Sequence, residues 1–398
     1  MNRKVCHISY NHDPFDDRIY WKELITLKEA GYDVVHICVG DLDKDYISNE
    51  GVRIIQIKRV HSRQNIWIRR FEHFFLRNKN ETIEAILSKS IDINADVYHY
   101  HDIQINAIVK KLKKLKHKPK VIYDCHEAYH LLFVNNKAKN AFYSFIRKIV
   151  VYQISRWELA SAKRCDFIIV NYIYVLNYFK NKAPNVPSTI IYNYSLLKNT
   201  QLINNEIENK KYDFIYAGSI NRLRGINEIL MSLSHIKGNN RDIKLILIGS
   251  FEESEYLDEV SSLIKKLDLV DNVIIHPPVP FNEINKYYQQ SKIGLCILHQ
   301  TSIFKEALPI KLFEYMSNGL PVIFANHGPS VEIIQESKCG LLVNEKDEMS
   351  ISKAMMTLLH SKSFYKSCSI NGIHFSKTKY NWNIEKEKLL KVYQDVLK

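Results

Sequence analysis

The stretch EALPIKLFEYMSNGLPVIF (306–324) decides how the chain is read. Pro309 suits the first turn of a helix, because its missing N–H is an orphan there in any case. A helix starting near Pro309 holds Glu314 inside it, puts Lys311 in its first turn and leaves Glu306 in the loop at its mouth. Gly319-Leu320-Pro321 stops that helix and opens a strand. A helix N-terminus already points backbone N–H groups at an anion, so the added lysine suggests phosphate. Carboxylates are poor phosphate partners and good hydroxyl acceptors. Together, Glu306, Lys311 and Glu314 fit a sugar bound through a diphosphate.

Upstream, YAGSINRLRGINEIL (216–230) runs strand, Gly218, polar loop with Arg222 and Arg224, Gly225, helix. This is the strand–loop–helix context that cradles phosphates, and Arg224 can add a bidentate contact. GSFEESE (249–255) repeats it after another strand. Val-, Ile- and Tyr-rich strands are expected at 4–10, 33–39, 53–57, 96–102, 121–127, 166–171 and 188–193 in the first half. In the second half they are expected at 212–219, 243–250, 272–278, 293–298, 320–326 and 339–344. Helical patterns lie between them, the first over 18–30 and another over 103–117. Such alternation implies parallel sheets covered by helices. The expectation is α/β: two doubly wound Rossmann-like domains facing a cleft. Their bounds are 1–195 for the N-terminal domain and 212–378 for the C-terminal one, with a polar linker over 196–211 and a closing helix over 379–398.

The 398 residues are 46% hydrophobic and 25% charged, which excludes bulk disorder. No apolar run approaches the roughly 18 residues that cross a bilayer, and the N-terminus reads as no signal peptide. The seven cysteines lack CxxC spacing and read as small buried hydrophobes of a reducing, cytoplasmic compartment. The 12 glycines are few against roughly 28 for average usage, and nine fall between Gly218 and Gly372. Charge is uneven too: residues 1–200 hold 32 Lys/Arg against 20 Asp/Glu, the remainder 24 against 23. The excess lies within 51–164 and suggests a polyanionic partner.

The Glu-x7-Glu segment, the strand–Gly–loop–Arg-Gly–helix segment and LILIGS resemble the donor domain of retaining glycosyltransferases with the GT-B fold, family four. HDPFDDRIYWKELITLKEAGYDVV (12–35), ADVYHYHD (95–102), VIYDCHE (121–127) and the closing NWNIEKEKLLKVYQDVL resemble further segments of that family, so the resemblance covers almost the whole chain. It implies an acceptor-binding domain over 1–195, a nucleotide-sugar-binding domain over 212–378, a closing helix, 379–398, that packs back on the first, and transfer of a sugar with retention at the anomeric carbon. Glu314 would bind the nucleoside ribose, and Glu306 would hold sugar hydroxyls beside the anomeric centre. Lys311 and Arg224 would grip the diphosphate, with Gly218, Ser219, Arg222, Gly249 and Leu312 around the donor. His126 would lie near the reacting centre, with Asp16, Arg18, His101 and Glu127 on the acceptor or cleft side. The sequence departs twice. Where many members have an Arg and a Lys, it has Ser219 and Arg224, and the first loop, YNHDPFDDR, has no glycine.

Blander readings stand beside these. His126 also fits a buried strand-end histidine held by a backbone partner, and Asp16 and Arg18 also fit a capped helix start where they bridge each other. His99 and His101 alternate on one strand face, but no partner Cys, His or carboxylate pattern is evident, so no metal is expected. The donor, a nucleotide-diphosphate sugar, is a substrate, and no cofactor is expected. Residues 58–79 and 141–164 mix Arg and Lys with aromatics, which favours the anionic inner face of the cytoplasmic membrane, and hence a lipid-linked glycan acceptor, over a solvated face on a packed core and over nucleic acid. Rival functions are a same-fold nucleotide-sugar epimerase, a soluble-polymer synthase and a non-catalytic nucleotide-sugar or nucleic-acid binding protein.

Overall fold

A computed structural model describes residues 3–60, 81–126, 141–197, 210–238, 242–301 and 304–398. The chain divides into two compact units, Met1–Asn193 with Glu385–Lys398, and Tyr194–Ile384.

The first unit is built on β1 (Lys4–Ile8), β2 (Asp33–Gly40), β3 (Lys44–Ile47), β4 (Arg53–Lys58), β5 (Val97–Tyr100), β6 (Lys120–Cys125), β7 (Phe167–Val170) and β8 (Ser188–Ile190). They lie in the order β3-β4-β2-β1-β5-β6-β7-β8. Every pairing is parallel except β3 with β4. The second unit has β9 (Tyr212–Ala217), β10 (Leu245–Ile248), β11 (Val273–His276), β12 (Ser291–Cys296), β13 (Val322–Ala325) and β14 (Gly340–Val343), in the all-parallel order β11-β10-β9-β12-β13-β14. Strands covered on both faces must be apolar throughout, and FIIV, LILI and VIFA are buried along nearly their whole length. Each unit has its own core, one around Ile8, Ile37, Tyr100 and Val121, the other around Phe214, Leu230, Leu247 and Ile323.

The strand orders position chemistry. In the first unit the chain steps outward from β1 to β2 and β4, then returns to β1's other side as β5. In the second it steps from β9 to β10 and β11, then returns as β12. Ligand crevices in such sheets open at the carboxyl ends of strands where the order reverses. The β1/β5 and β9/β12 strand ends are therefore the places to look.

Elements differ from expectation at the edges. β3 is an antiparallel edge strand with mostly exposed residues, so its sequence KDYI carries no burial pattern. A further helix, Lys362–Thr378, follows Glu348–His360 without a glycine or proline to announce it. The first helix opens with π-type turns over Asp17–Leu24 before continuing as Ile25–Glu29. The 103–117 pattern becomes a short turn, Ile103–Ile105, and the helix Asn106–Leu112. All seven cysteines are buried and unpaired.

Candidate active site

At the strand ends around β9 and β12 of the second unit lie two cations and two glycines. Gly218 follows β9 at φ +135° and Gly249 follows β10 at φ +155°, conformations that L side chains rarely adopt. A Cβ on Gly218 would overlap the Lys311 ammonium, and one on Gly249 would overlap the Gly218 carbonyl. Lys311 is the second residue of the helix Ile310–Ser317, which begins after Pro309, and its Nζ lies 5.7 Å from the Tyr216 ring. Arg224 ends the turn Arg222–Arg224, and its guanidinium lies 4.9 Å over the Phe304 ring. Arg224 Nε is buried and makes no hydrogen bond to a described residue. Both cations act on the same buried thiol, Cys296 at the end of β12. Burial pushes that thiol up to about 11, and Lys311 and Arg224 pull against the rise.

Glu314 lies one turn further along the Lys311 helix and accepts a hydrogen bond from Tyr288 Oη at 2.8 Å. A small pocket beside it is lined by Phe281, Asn285, Ser317 and Asn318. Glu306 sits half-buried in the turn before Pro309. Leu312 is fully buried and anchors the helix to the core.

Two expected donor contacts point elsewhere. The exposed Arg222 pairs with Glu259 through both terminal nitrogens and lies 4.9 Å from the Tyr256 ring, so it does not join Arg224 and Lys311. Ser219 donates from Oγ to Glu252, which also accepts from Asn221 at 2.9 Å.

The β1/β5 ends of the first unit hold a buried polar cluster. Arg18 reaches Asp124 through Nε (3.0 Å to Oδ2) and Nη2 (3.2 Å to Oδ1) and donates to the Ile191 carbonyl at 2.9 Å. Its Nε also lies 3.0 Å from Glu23 Oε1. Burial would lower the guanidinium, but Asp124 and then Glu23 raise it above its ordinary value. Burial pushes Asp124 up, yet the Arg18 charge together with His126 and His101 outweighs it and holds the carboxyl well below its ordinary value. Burial, and then the charge of Asp124, push Glu23 well above its ordinary value. Arg18 therefore belongs to the helix rather than the loop, is 3% exposed, and bridges Asp124 rather than Asp16. Asp16 caps that helix, accepting from the Arg18 and Ile19 N–H groups at 2.9 Å.

His126 ends β6. Its Nε2 lies 3.2 Å from both Asp124 Oδ2 and His101 Nδ1, and its carbonyl accepts from Asn171 at 2.9 Å. His101 is fully buried, not open to a ligand from solvent. Glu127 lies outside the described residues. His12, which sequence reasoning missed, lies edge-on to His126 at 5.0 Å and pairs with Asp16 at 3.0 Å. Burial lowers His12, but the hydrogen bond and charge of Asp16 outweigh it and lift the imidazole to about 9. The glycine-free loop has its own anion. Asp102 accepts from the Tyr10 and Asn11 N–H groups at 2.6 and 3.1 Å.

Residues 198–375 match the model of the glycosyl transferases group 1. Among curated relatives, a capsular polysaccharide biosynthesis glycosyltransferase of Staphylococcus aureus is 24% identical over 207 residues, 50% of this chain and 52% of that one. The chain spans about half the length of the first such relatives it matches. Among solved structures, sucrose-phosphate synthase from Thermosynechococcus elongatus aligns with a TM-score of 0.75 at 17% identity, covering 100% of this chain and 99% of that one. Anabaena HepE, solved with UDP and glucose, aligns with a TM-score of 0.70 at 12% identity, covering 99% and 100%. Parallel-sheet units with these neighbours have the fold of the GT-B glycosyltransferases. Residues 198–375, a little under half of the chain, are thus similar to the glycosyl transferases group 1, and the chain shares the fold of its solved neighbours.

Proposed function

We propose that the chain is a retaining glycosyltransferase of family four. It moves a sugar from a nucleoside-diphosphate donor to a lipid-linked glycan in bacterial surface polysaccharide synthesis. The observation that carries the reading is that Lys311, seated against Gly218, and Arg224 both bear on Cys296 at the end of β12. Two cations beside strand-end glycines and a helix N-terminus suit a diphosphate. Glu314, already accepting from Tyr288, has the chemistry to take ribose hydroxyls, and Glu306 those of the sugar. The UDP in the Anabaena neighbour's structure supports a nucleotide donor of this class.

In this reading Lys311 and Arg224 stabilise the negative charge that develops on the departing diphosphate. That diphosphate takes the proton of the acceptor hydroxyl on the face it leaves from, so configuration is retained. His126 stabilises or orients the sugar during the short-lived oxocarbenium stage.

The acceptor part rests on surface chemistry. The helix Ala141–Ala162 exposes Phe145, Ile149 and Tyr152, four and three residues apart and so on one face, with exposed Lys148 and Arg156 nearby. No helix among the described residues is long and apolar enough to cross a membrane. Of the other basic segment, 61–79 lies outside the described residues.

A thermal-shift screen with UDP-, GDP-, ADP- and TDP-sugars, followed by a transfer assay with the one that binds, tests the proposal. A ligand at a hundred times its Kd adds about 2.7 kcal/mol to the native state. No shift with any of them at millimolar concentration overturns the donor reading.

A further inference from the structure

Four side chains in the first unit converge where sequence spacing shows no partners. His7 on β1 and His99 on β5 are register neighbours, and His101 follows His99 two residues on. Glu23 arrives from the helix Asp17–Leu24. All four are fully buried. Glu23 Oε2 lies 3.9 Å from each of three imidazole nitrogens: His7 Nδ1, His99 Nε2 and His101 Nε2. His7 Nδ1 and His101 Nε2 are 2.9 Å apart. No two of the four donor atoms are more than 4.8 Å apart.

Tetrahedral zinc bound at 2.0–2.2 Å holds its donors about 3.3–3.5 Å apart. The 2.9 and 3.9 Å separations bracket that value, so shifts of a few tenths of an ångström bring those donors to bonding range.

The far side of each ring is also held. Tyr393 Oη lies 3.0 Å from His7 Nε2 and 2.8 Å from His99 Nδ1. His101 Nδ1 lies 3.2 Å from His126 Nε2. Metal-ligating histidines are oriented in this way, by a partner on the nitrogen that does not bind. The near side is left wanting. His99 Nε2 and both Glu23 oxygens are buried and make no hydrogen bond to a described residue. Glu23 Oε1 has the Arg18 charge beside it, and Oε2 is the oxygen turned to the three imidazoles.

We propose that His7, Glu23, His99 and His101 form a closed structural site for one divalent transition-metal ion, zinc by its three-nitrogen, one-oxygen donor set. Imidazole and carboxylate together suit Zn2+ and not Mg2+ or Ca2+, which take oxygen. With every ligand buried, no coordination position is left for substrate, so the ion ties β1, β5 and the first helix together and takes no part in sugar transfer. The sequence-based expectation of no metal is thereby revised. The partners missing from the spacing are His7 and Glu23, 92 and 76 residues before His99.

The test is metal analysis of the full chain, produced in zinc-supplemented medium and purified without a metal column. Wild type is expected to carry about one zinc per chain through gel filtration, to lose thermal stability under a chelator and to regain it with zinc. Cobalt should replace the zinc and give the visible bands of tetrahedral coordination. Glu23→Gln and His99→Gln should each lower zinc retention at least tenfold, with unchanged circular dichroism and unchanged nucleotide binding by the second unit. Wild type holding under a tenth of an equivalent of any transition metal, with no stabilisation by added zinc, overturns the site. Glu23 then simply shares a proton with the carboxylate of Asp124. Full zinc retention in both folded variants also overturns it, because the ion then sits elsewhere. If the variants fail to fold, the wild-type stoichiometry decides alone.

Discussion

Replacing Arg18 by Met keeps a long apolar stem and removes one buried charge. Asp124 then loses two hydrogen bonds, at 3.0 and 3.2 Å, and its only described guanidinium partner. The Ile191 carbonyl loses its 2.9 Å donor as well. Breaking a buried ion pair by deleting one partner costs about 3–5 kcal/mol, because the other charge stays behind uncompensated. A buried carbonyl left without its donor adds about 1–3 kcal/mol. Relaxation and protonation of Asp124 offset part of this, so about 3–5 kcal/mol is the expected loss, against a typical total of about 5–15 kcal/mol. Two units need not unfold together, so a single melting curve is the wrong readout. Native-state hydrogen exchange is the right one: amides of β1, β5 and β6 should open more easily by that amount, while those of β9 to β14 stay unchanged. In wild type Asp124 is held below its ordinary value, so its contribution is present above the unfolded carboxylate pKa and fades as pH falls. Without Arg18 the carboxyl shifts upward, so the deficit should narrow on acidification toward pH 5. Adding Asp124→Asn should recover much of the loss. A change under about 1 kcal/mol in the β6 amides, with no coupling between the two substitutions, would refute the argument.

Lys311→Ala and Arg224→Ala should each lower turnover by about 10²–10³ with donor saturating, whereas Arg222→Ala, committed to Glu259, should stay within about twofold. Gly249→Ala, forced against the Gly218 carbonyl, should abolish the nucleotide thermal shift at concentrations that saturate wild type. His12, raised to about 9, stabilises fully below the unfolded histidine pKa of about 6.5, and that contribution, at most about 3 kcal/mol, is lost as pH rises through 9. Stability of the helix start at Asp17, followed by exchange between pH 6 and 9, should fall in wild type and stay flat in His12→Asn. Serine at Phe145, Ile149 and Tyr152 together should reduce sedimentation with anionic liposomes at low salt, and undiminished sedimentation would remove this face from the docking surface.

Much of the fold was legible because its signals are local. Runs such as LILI and VIFA declare a strand buried on both faces, and Pro309 and Gly319 bracket their helix within a few residues. The Lys311–Glu314 relation survives for the same reason, since both sit on one short helix. What could not be read depends on distant pairing. His7 meets His99 only because β1 and β5 lie side by side, and neither residue's neighbourhood hints at the other. Arg222 and Arg224 look interchangeable in RLRG, yet a tight turn sends one to Glu259 and the other over Phe304. The first loop lacks glycine because its amides serve a carboxylate of its own chain, Asp102.

Tyr393 has a consequence for the order of synthesis. Its hydroxyl closes the histidine cluster between β1 and β5, yet it leaves the ribosome roughly 200 residues after the rest of that unit, at about 5–20 residues per second. For about 10–40 s the first unit exists without Tyr393 beside its imidazoles, while the second, unbroken from Tyr194 to Ile384, is made and completed. The half of the molecule made first is thus the half finished last, and the nascent chain is most exposed to chaperones and proteases there.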